Sequence, residues 1–237
     1  MLNVDESFKL DDFIKDFNQN SKEPIIEPSG DDLAAAFKID EELVMIGCVS
    51  APIPKGDLEG TAKYAYNWPT AIKDLENHKG HILVSIAQGS NNYIKRFKIF
   101  TKVICSILRT TDSIGVYKGT QSLLIPKEDY LNEAGLMNED YIPLNLWVYF
   151  GLRTIGDKRA GYTYGLKEFN KTEMEIINSD QGLVEIRKFL FNTTQYVLEY
   201  DVEFKDGQTC GMAAEEKIKI SLSKGKFVSG DSFKLAY

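Results

Sequence analysis

Apolar positions recur along this chain with two different periods. Leu10, Phe13, Ile14 and Phe17 fall at i, i+3, i+4 and i+7, the spacing of one helix face, with Asp11, Asp12, Lys15 and Asp16 on the other side. Residues 18–30 then collect Asn, Ser, Pro and Gly and read as a linker. Leu43–Val49 is a continuous apolar strand pattern. Trp68, Ile72 and Leu75 mark a helix, with Asn67 as its capping candidate, Pro69 in its first turn and Gly80 as its stop. Ile82–Ala87 is a short apolar run, which predicts a strand covered on both faces. Tyr93, Phe97, Phe100, Ile104, Ile107 and Leu108 form a long helical stripe. Ile114–Tyr117 is a short strand, and Pro126 opens a helix carrying Tyr130, Leu131 and Ala134.

After Pro143 the rhythm changes. Leu144–Leu152 reads as an aromatic strand, Asp157-Lys158-Arg159 as a hairpin tip, and Tyr162, Tyr164 and Leu166 alternate along the returning strand. Thr172–Ile177 is a further strand. Leu183, Ile186, Leu190 and Val197 mark a second long helix, with Asp180 near its start. Asp206-Gly207 and Lys224-Gly225 are turn signals, Lys217–Leu222 alternates as a half-exposed strand, and Phe233–Leu235 closes the chain as an edge strand.

This pattern predicts an α+β protein with mixed sheets. Its first half alternates strand and helix, which implies βαβ units and parallel pairing. Its second half is antiparallel hairpins plus one long helix, and two ferredoxin-like layers would satisfy both halves. The expected organisation is an N-terminal amphipathic helix and linker over residues 1–30, followed by a compact α+β domain over 31–237. The halves of that domain, if distinct, meet near 136–143. The N-terminal helix either docks on the body or serves as an arm for a partner.

Composition narrows the function classes. The chain has 237 residues, long enough for a sizeable core, and 28 basic against 35 acidic residues leave a net charge of −7. That balance argues against non-specific nucleic-acid or anionic-membrane binding and suits either solubility or a basic partner. The start of the chain has no basic segment followed by an apolar one, and no apolar run approaches the ~18 residues of a membrane span. Cys48, Cys105 and Cys210 are far apart and form no CxxC pair, so zinc-ribbon and thioredoxin-type motifs are excluded. The chain reads as cytosolic and reduced.

Candidate chemistry is sparse. His78 and His81 are the only histidines, and Gly80 between them sends their side chains apart, against a metal pair. Ala51-Pro52-Ile53-Pro54-Lys55-Gly56-Asp57-Leu58-Glu59-Gly60 holds too much Pro and Gly for a strand or helix and predicts a stiff loop. That loop presents Asp57 and Glu59, which with a histidine would make an acid–base pair; the plainer role is shaping a turn. Glu215 and Glu216 follow the Thr209-Cys210-Gly211 turn and suit a helix start. Gln88-Gly89-Ser90, ahead of a helix, has the form of an anion site at a helix N-terminus. Tyr162 and Tyr164 are candidate interface aromatics. No phosphate-binding loop, nucleophile elbow or zinc-protease motif occurs.

The order of several motifs resembles a widespread bacterial family. Ala51–Pro54 with Asp57–Gly60, then Trp68-Pro69 and His78–Val84, carry the first part of the likeness. Gly115–Gly119, Leu146–Val148, Thr163–Leu166 and Asp206–Gly211 followed by Glu215–Ile218 carry the rest. The family is the domain of unknown function 4261, and the likeness runs from Leu43 to Tyr237. It implies a bacterial, cytosolic protein and supplies no substrate, cofactor or catalytic residue.

Two functions stand at this point. One is a non-enzymatic protein-binding module with Asp57, Glu59, Tyr162, Tyr164, Glu215 and Glu216 as its contact residues. An immunity or antitoxin-like protein masking a basic bacterial toxin is its concrete form. The other is an enzyme using His78 or His81 with Asp57 or Glu59 in a cleft between the halves. Neither needs a metal or cofactor, and self-association through a sheet edge is a third arrangement.

Overall fold

The computed structural model describes residues 8–211 and 217–237. Within them the chain is α+β, and its compact units are two: residues up to Gly119 with Leu123–Leu146, and Thr120–Ser122 with Trp147–Tyr237.

In the first unit, helix α1 (Leu10–Asn20) turns Phe13 and Phe17 inward. Strands β1 (Ile25–Gly30), β2 (Ala34–Ile39) and β3 (Glu42–Val49) follow as an antiparallel meander. Residues 25–30, expected within a linker, are therefore a strand. Pro28 is tolerated because β1 is an edge strand with an irregular register between Ile26 and Ser29. One face of the sheet carries Phe37, Ile39, Val44 and Ile46, and packs with Phe13, Phe17, Ile99, Val103 and Ile107 into a single core. Ser106 donates to Asp16 at 2.7 Å and Arg109 pairs with the same carboxylate at 2.6 Å, so α1 is held down at its polar flank as well.

The expected stiff loop at 51–60 is instead an arm followed by a helix, α2 (Lys55–Ala62). Pro54 precedes the first turn, where a missing N–H is harmless, and its carbonyl accepts from Asp57 and Leu58. Gly56 and Gly60 lie on the exposed side, while Leu58 and Thr61 are buried. Helix α3 is a single turn (Ala71–Asp74) preceded by Thr70 rather than capped by Asn67, whose amide reaches Asp129 at 2.9 Å. Strand β4 (His81–Gln88) then pairs antiparallel with β3 and ends the sheet. Parallel pairing was expected between these strands. It is absent because α2 and α3 do not cross the sheet; they build a satellite core of Leu58, Ala65, Trp68, Ala71 and Leu75. Nor is β4 covered on both faces: Leu83 is 59% exposed. The unit is completed by α4 (Tyr93–Thr110), β5 (Gly115–Lys118) paired with β6 (Leu123–Pro126), and α5 (Lys127–Gly135).

Leu144–Trp147, read as part of a strand, is the short helix α6, because Pro143 starts a turn whose carbonyl accepts from Leu146. The second unit contains β7 (Tyr149–Ile155), β8 (Lys158–Tyr164), β9 (Met174–Ser179), α7 (Leu183–Glu199), β10 (Thr209–Cys210), β11 (Ile218–Lys224) and β12 (Asp231–Leu235). The sheet order is β10-β11-β12-β9-β8-β7. β12 is thus interior rather than an edge, since it pairs parallel with β9 on one side and antiparallel with β11 on the other. This is the parallel pairing of the molecule among the described residues. Helix α7 buries Ile186, Phe189, Leu190 and Val197.

Candidate functional site

The arm leaving β3 is held by both histidines. His78 is buried, its Nε2 accepts the Ile53 N–H at 2.8 Å, and its Nδ1 lies 2.6 Å from the Leu75 carbonyl. A carbonyl only accepts, so Nδ1 carries the proton and the ring is the neutral Nδ1–H tautomer. His81 Nδ1 lies 2.7 Å from the Ala51 carbonyl and donates in the same way. The rings therefore fasten the backbone of the arm on either side of Pro52. Asp57 is exposed in the first turn of α2, where the helix dipole favours it, and Glu59 is exposed with Lys55 at 3.7 Å. Among the described residues, no hydrogen bond or ion pair joins either histidine to Asp57 or Glu59.

These stitches shape a groove of about 650 Å³. Pro52, Ile53, Pro54 and Leu58 line it along the arm and α2; Pro69, Ile72 and Leu75 line it along α3. Lys55, Lys73, Glu76, Thr70 and His78 supply its polar groups. The prolines fix φ along the arm and at the entry to α3. The satellite core of Leu58, Trp68 and Leu75 packs at the same segments.

The anion site expected at Gln88-Gly89-Ser90 is filled by the chain itself. Glu42, fully buried on β3, accepts from the Ser90 N–H at 3.0 Å and hydroxyl at 2.7 Å, and pairs with Arg96 at 3.2 Å. Glycine at 89 leaves room for this carboxylate: a Cβ there would lie 1.6 Å from Glu42 Oε2, and the carboxylate would have to shift. Asn92 caps α4 by accepting from the Lys95 N–H at 2.9 Å.

In the second unit, Glu173 and Glu175 are buried carboxylates that the sequence reading passed over. Glu173 accepts from the Thr163 hydroxyl at 2.7 Å and from the Gly165 and Leu166 N–H groups at 2.8 and 2.9 Å. Burial still pushes its carboxyl above the usual range, against those donors. Glu175 accepts from Ser232 at 2.7 Å and from the Lys226 and Phe227 amides, and pairs with Lys234 at 2.8 Å. Burial acts to raise its pKa, but the Lys234 ammonium, the Ser232 hydroxyl and the two amides outweigh it and hold the carboxyl low. A signal was present: acids alternating within the apolar run Thr172–Ile177 share one side of a buried strand.

Tyr162 is buried in this unit, stacked on Phe227 at 5.4 Å and edge-on to Tyr149 at 6.1 Å. It lies in the core rather than on an interface. Tyr164 is half-buried opposite Tyr149. Glu215 and Glu216 lie outside the described residues. Cys48 and Cys105 are free thiols, and burial pushes the Cys105 thiol up to about 11. Among the described residues, no group of histidine, cysteine and acidic side chains has the arrangement of a metal site, and no helix is long and apolar enough to cross a membrane.

Fold and site define an α+β protein whose buried ionisable groups act as fasteners of loops. The profile of the family described as Domain of unknown function (DUF4261) matches residues 162–236. The match covers β8 from Tyr162 through β12, and so includes Glu173, Glu175 and the Asp206-Gly207 turn. No curated protein and no solved structure matches the chain.

Proposed function

We propose that the protein is a non-enzymatic protein-binding module, and that it recognises an extended segment of its partner along the free edge of β4. The observation that carries this reading is the strand itself. His81–Gln88 is an eight-residue strand that, among the described residues, pairs with β3 alone, and it contains no Asp, Glu, Lys, Arg or Pro. Edge strands that must stay unpaired are ordinarily guarded by charge, proline or a bulge; here the register against β3 shifts at Ala87, near the end of β4, and His81–Ile86 pairs without interruption. The outer sheet face beside it is apolar, with Leu83 59% and Met45 46% exposed. A crevice of about 130 Å³ opens next to Ile82 and Val84, lined by Phe100, Ile104 and Ile107 of α4. Strand addition uses both features: main-chain bonds give affinity, and a pocket for one alternate side chain gives selectivity.

The acidic balance of 28 against 35 charged residues favours a basic partner at longer range, as an immunity or antitoxin-like protein masking a toxin would require. The test is recovery of the tagged protein from its own cells at low and then high salt, beside a Leu83→Lys/Ser85→Lys variant. A stoichiometric, salt-sensitive basic partner that the variant loses supports the reading. A partner retained by the variant, or recovery of the protein alone, overturns it. Light scattering of the purified chain identifies the case in which the added strand comes from a second copy.

A further inference from the structure

The groove between the arm and α3 lies on different elements from the β4 edge, and its construction points to a ligand of its own. Its volume, about 650 Å³, falls in the range of small-molecule sites. Apolar side chains dominate its lining, including Ile72, which stays 37% exposed on a surface that could have been polar. The groove is also braced open. His78 joins the arm to the end of α3 through bonds of 2.8 and 2.6 Å, and Pro52, Pro54 and Pro69 stiffen the segments it joins. Such bracing lowers the ordering cost of binding.

Charge selects the ligand class. Lys55 stands on the α2 side and Lys73 on the α3 side, against the single lining carboxylate of Glu76. Lys73 makes no ion pair among the described residues, and the only one made by Lys55 is the 3.7 Å contact to exposed Glu59. Two lysines at the mouth of an apolar floor are notable in a chain of net charge −7, even with Asp74 beside Lys73 and Glu59 beside Lys55. We infer that this groove binds a small amphipathic carboxylate: an apolar body seated between Pro52, Leu58 and Ile72, with its carboxylate between Lys55 and Lys73.

Octanoate is the probe and 1-octanol its uncharged counterpart, titrated into the whole chain by calorimetry and by amide NMR. Saturable octanoate binding is expected, tighter than that of 1-octanol by up to about fivefold for each exposed ion pair made. Lys73→Glu is expected to weaken octanoate by about fivefold or more, and Ile72→Asp to abolish binding. Both side chains are exposed, so both variants should keep the parent circular dichroism spectrum. Leu83→Lys on β4 should leave octanoate binding unchanged, which separates this site from the protein-binding edge. Absence of saturation, equal affinity for octanol, or affinity unaltered in both groove variants overturns the inference.

Discussion

Glu175→Gln tests whether the second unit depends on a buried carboxylate. Glu175 is fully buried, while the Lys234 side chain beside it keeps 18% of its exposure. The substitution preserves shape but removes the charge opposite Lys234. It also turns one acceptor into a donor facing the amides of Lys226 and Phe227 and the Ser232 hydroxyl. Breaking one side of a buried pair costs about 3–5 kcal/mol, and the remaining solvent at Lys234 places this case toward ~3 kcal/mol. Linkage fixes the pH dependence. The folded carboxyl is held below its ordinary value of 4.5, so its stabilising contribution is complete above that value. It is lost as pH falls through the lower folded value. The gap between parent and variant should therefore be full at pH 7 and shrink toward pH 3. Urea unfolding followed by hydrogen exchange in β11 and β12 reads the unit directly. A gap under ~1 kcal/mol at pH 7, or one that does not narrow in acid, refutes the reasoning. Adding Lys234→Met should recover part of the loss, since removing both partners of a buried pair is far milder than removing one.

Three further substitutions probe the other close contacts. Gly89→Ala would place a Cβ 1.6 Å from Glu42 Oε2 and must displace that buried carboxylate from Ser90; a loss of about 3 kcal/mol in chemical unfolding is expected, with weaker protection at the start of α4. His78→Ala leaves the part-buried Ile53 N–H without its acceptor and should lower stability by about 1–3 kcal/mol, with faster exchange of the Ile53 amide as the specific readout. Gly151→Ala would set a Cβ 2.2 Å from the Tyr162 ring that lies across the β7–β8 pair, and overpacking there should cost about 1–3 kcal/mol in thermal unfolding.

The elements written most plainly into the sequence are those whose own periodicity decides them. Helices α4 and α7 carry apolar stripes several turns long, and a helix is the one structure that buries such a stripe. The β7–β8 hairpin followed from alternation and a turn signal. What stayed hidden depends on partners distant in sequence. The apolar run in β4 reads like a strand buried on both sides, but only the register with β3 decides that Leu83 points outward. Phe233–Leu235 has the look of a terminal edge, and its place between β9 and β11 comes from a pairing across more than the length of α7. α2 was missed because its glycines lower helix propensity; burial of Leu58 and Thr61 overrides that local preference. The histidines stood out as rare residues, yet their partners are backbone groups of an arm some 25 and 30 residues earlier, which no side-chain spacing encodes.

The ionisable groups best placed for chemistry share one occupation. Glu42 fastens the start of α4, Glu173 the turn after β8, Glu175 the segment before β12, and His78 and His81 the arm after β3. Each accepts or donates at backbone groups that would otherwise lack partners in a bend, and a carboxylate or imidazole so engaged is poorly disposed to move a proton to a substrate. Fastening has a mechanical consequence: it stiffens the segments around the surfaces that remain open. The arm is pinned at Ala51 and Ile53, beside both the groove and the first residue of β4. A stiff edge and a braced groove lose less conformational entropy on binding than mobile ones, so the same bonds suit the neighbouring apolar surfaces to the ligand and the partner strand proposed above. On this logic His78→Ala should weaken octanoate binding as well as stability, whereas Glu175→Gln, which lies in the other unit, should lower stability and leave octanoate affinity as it is.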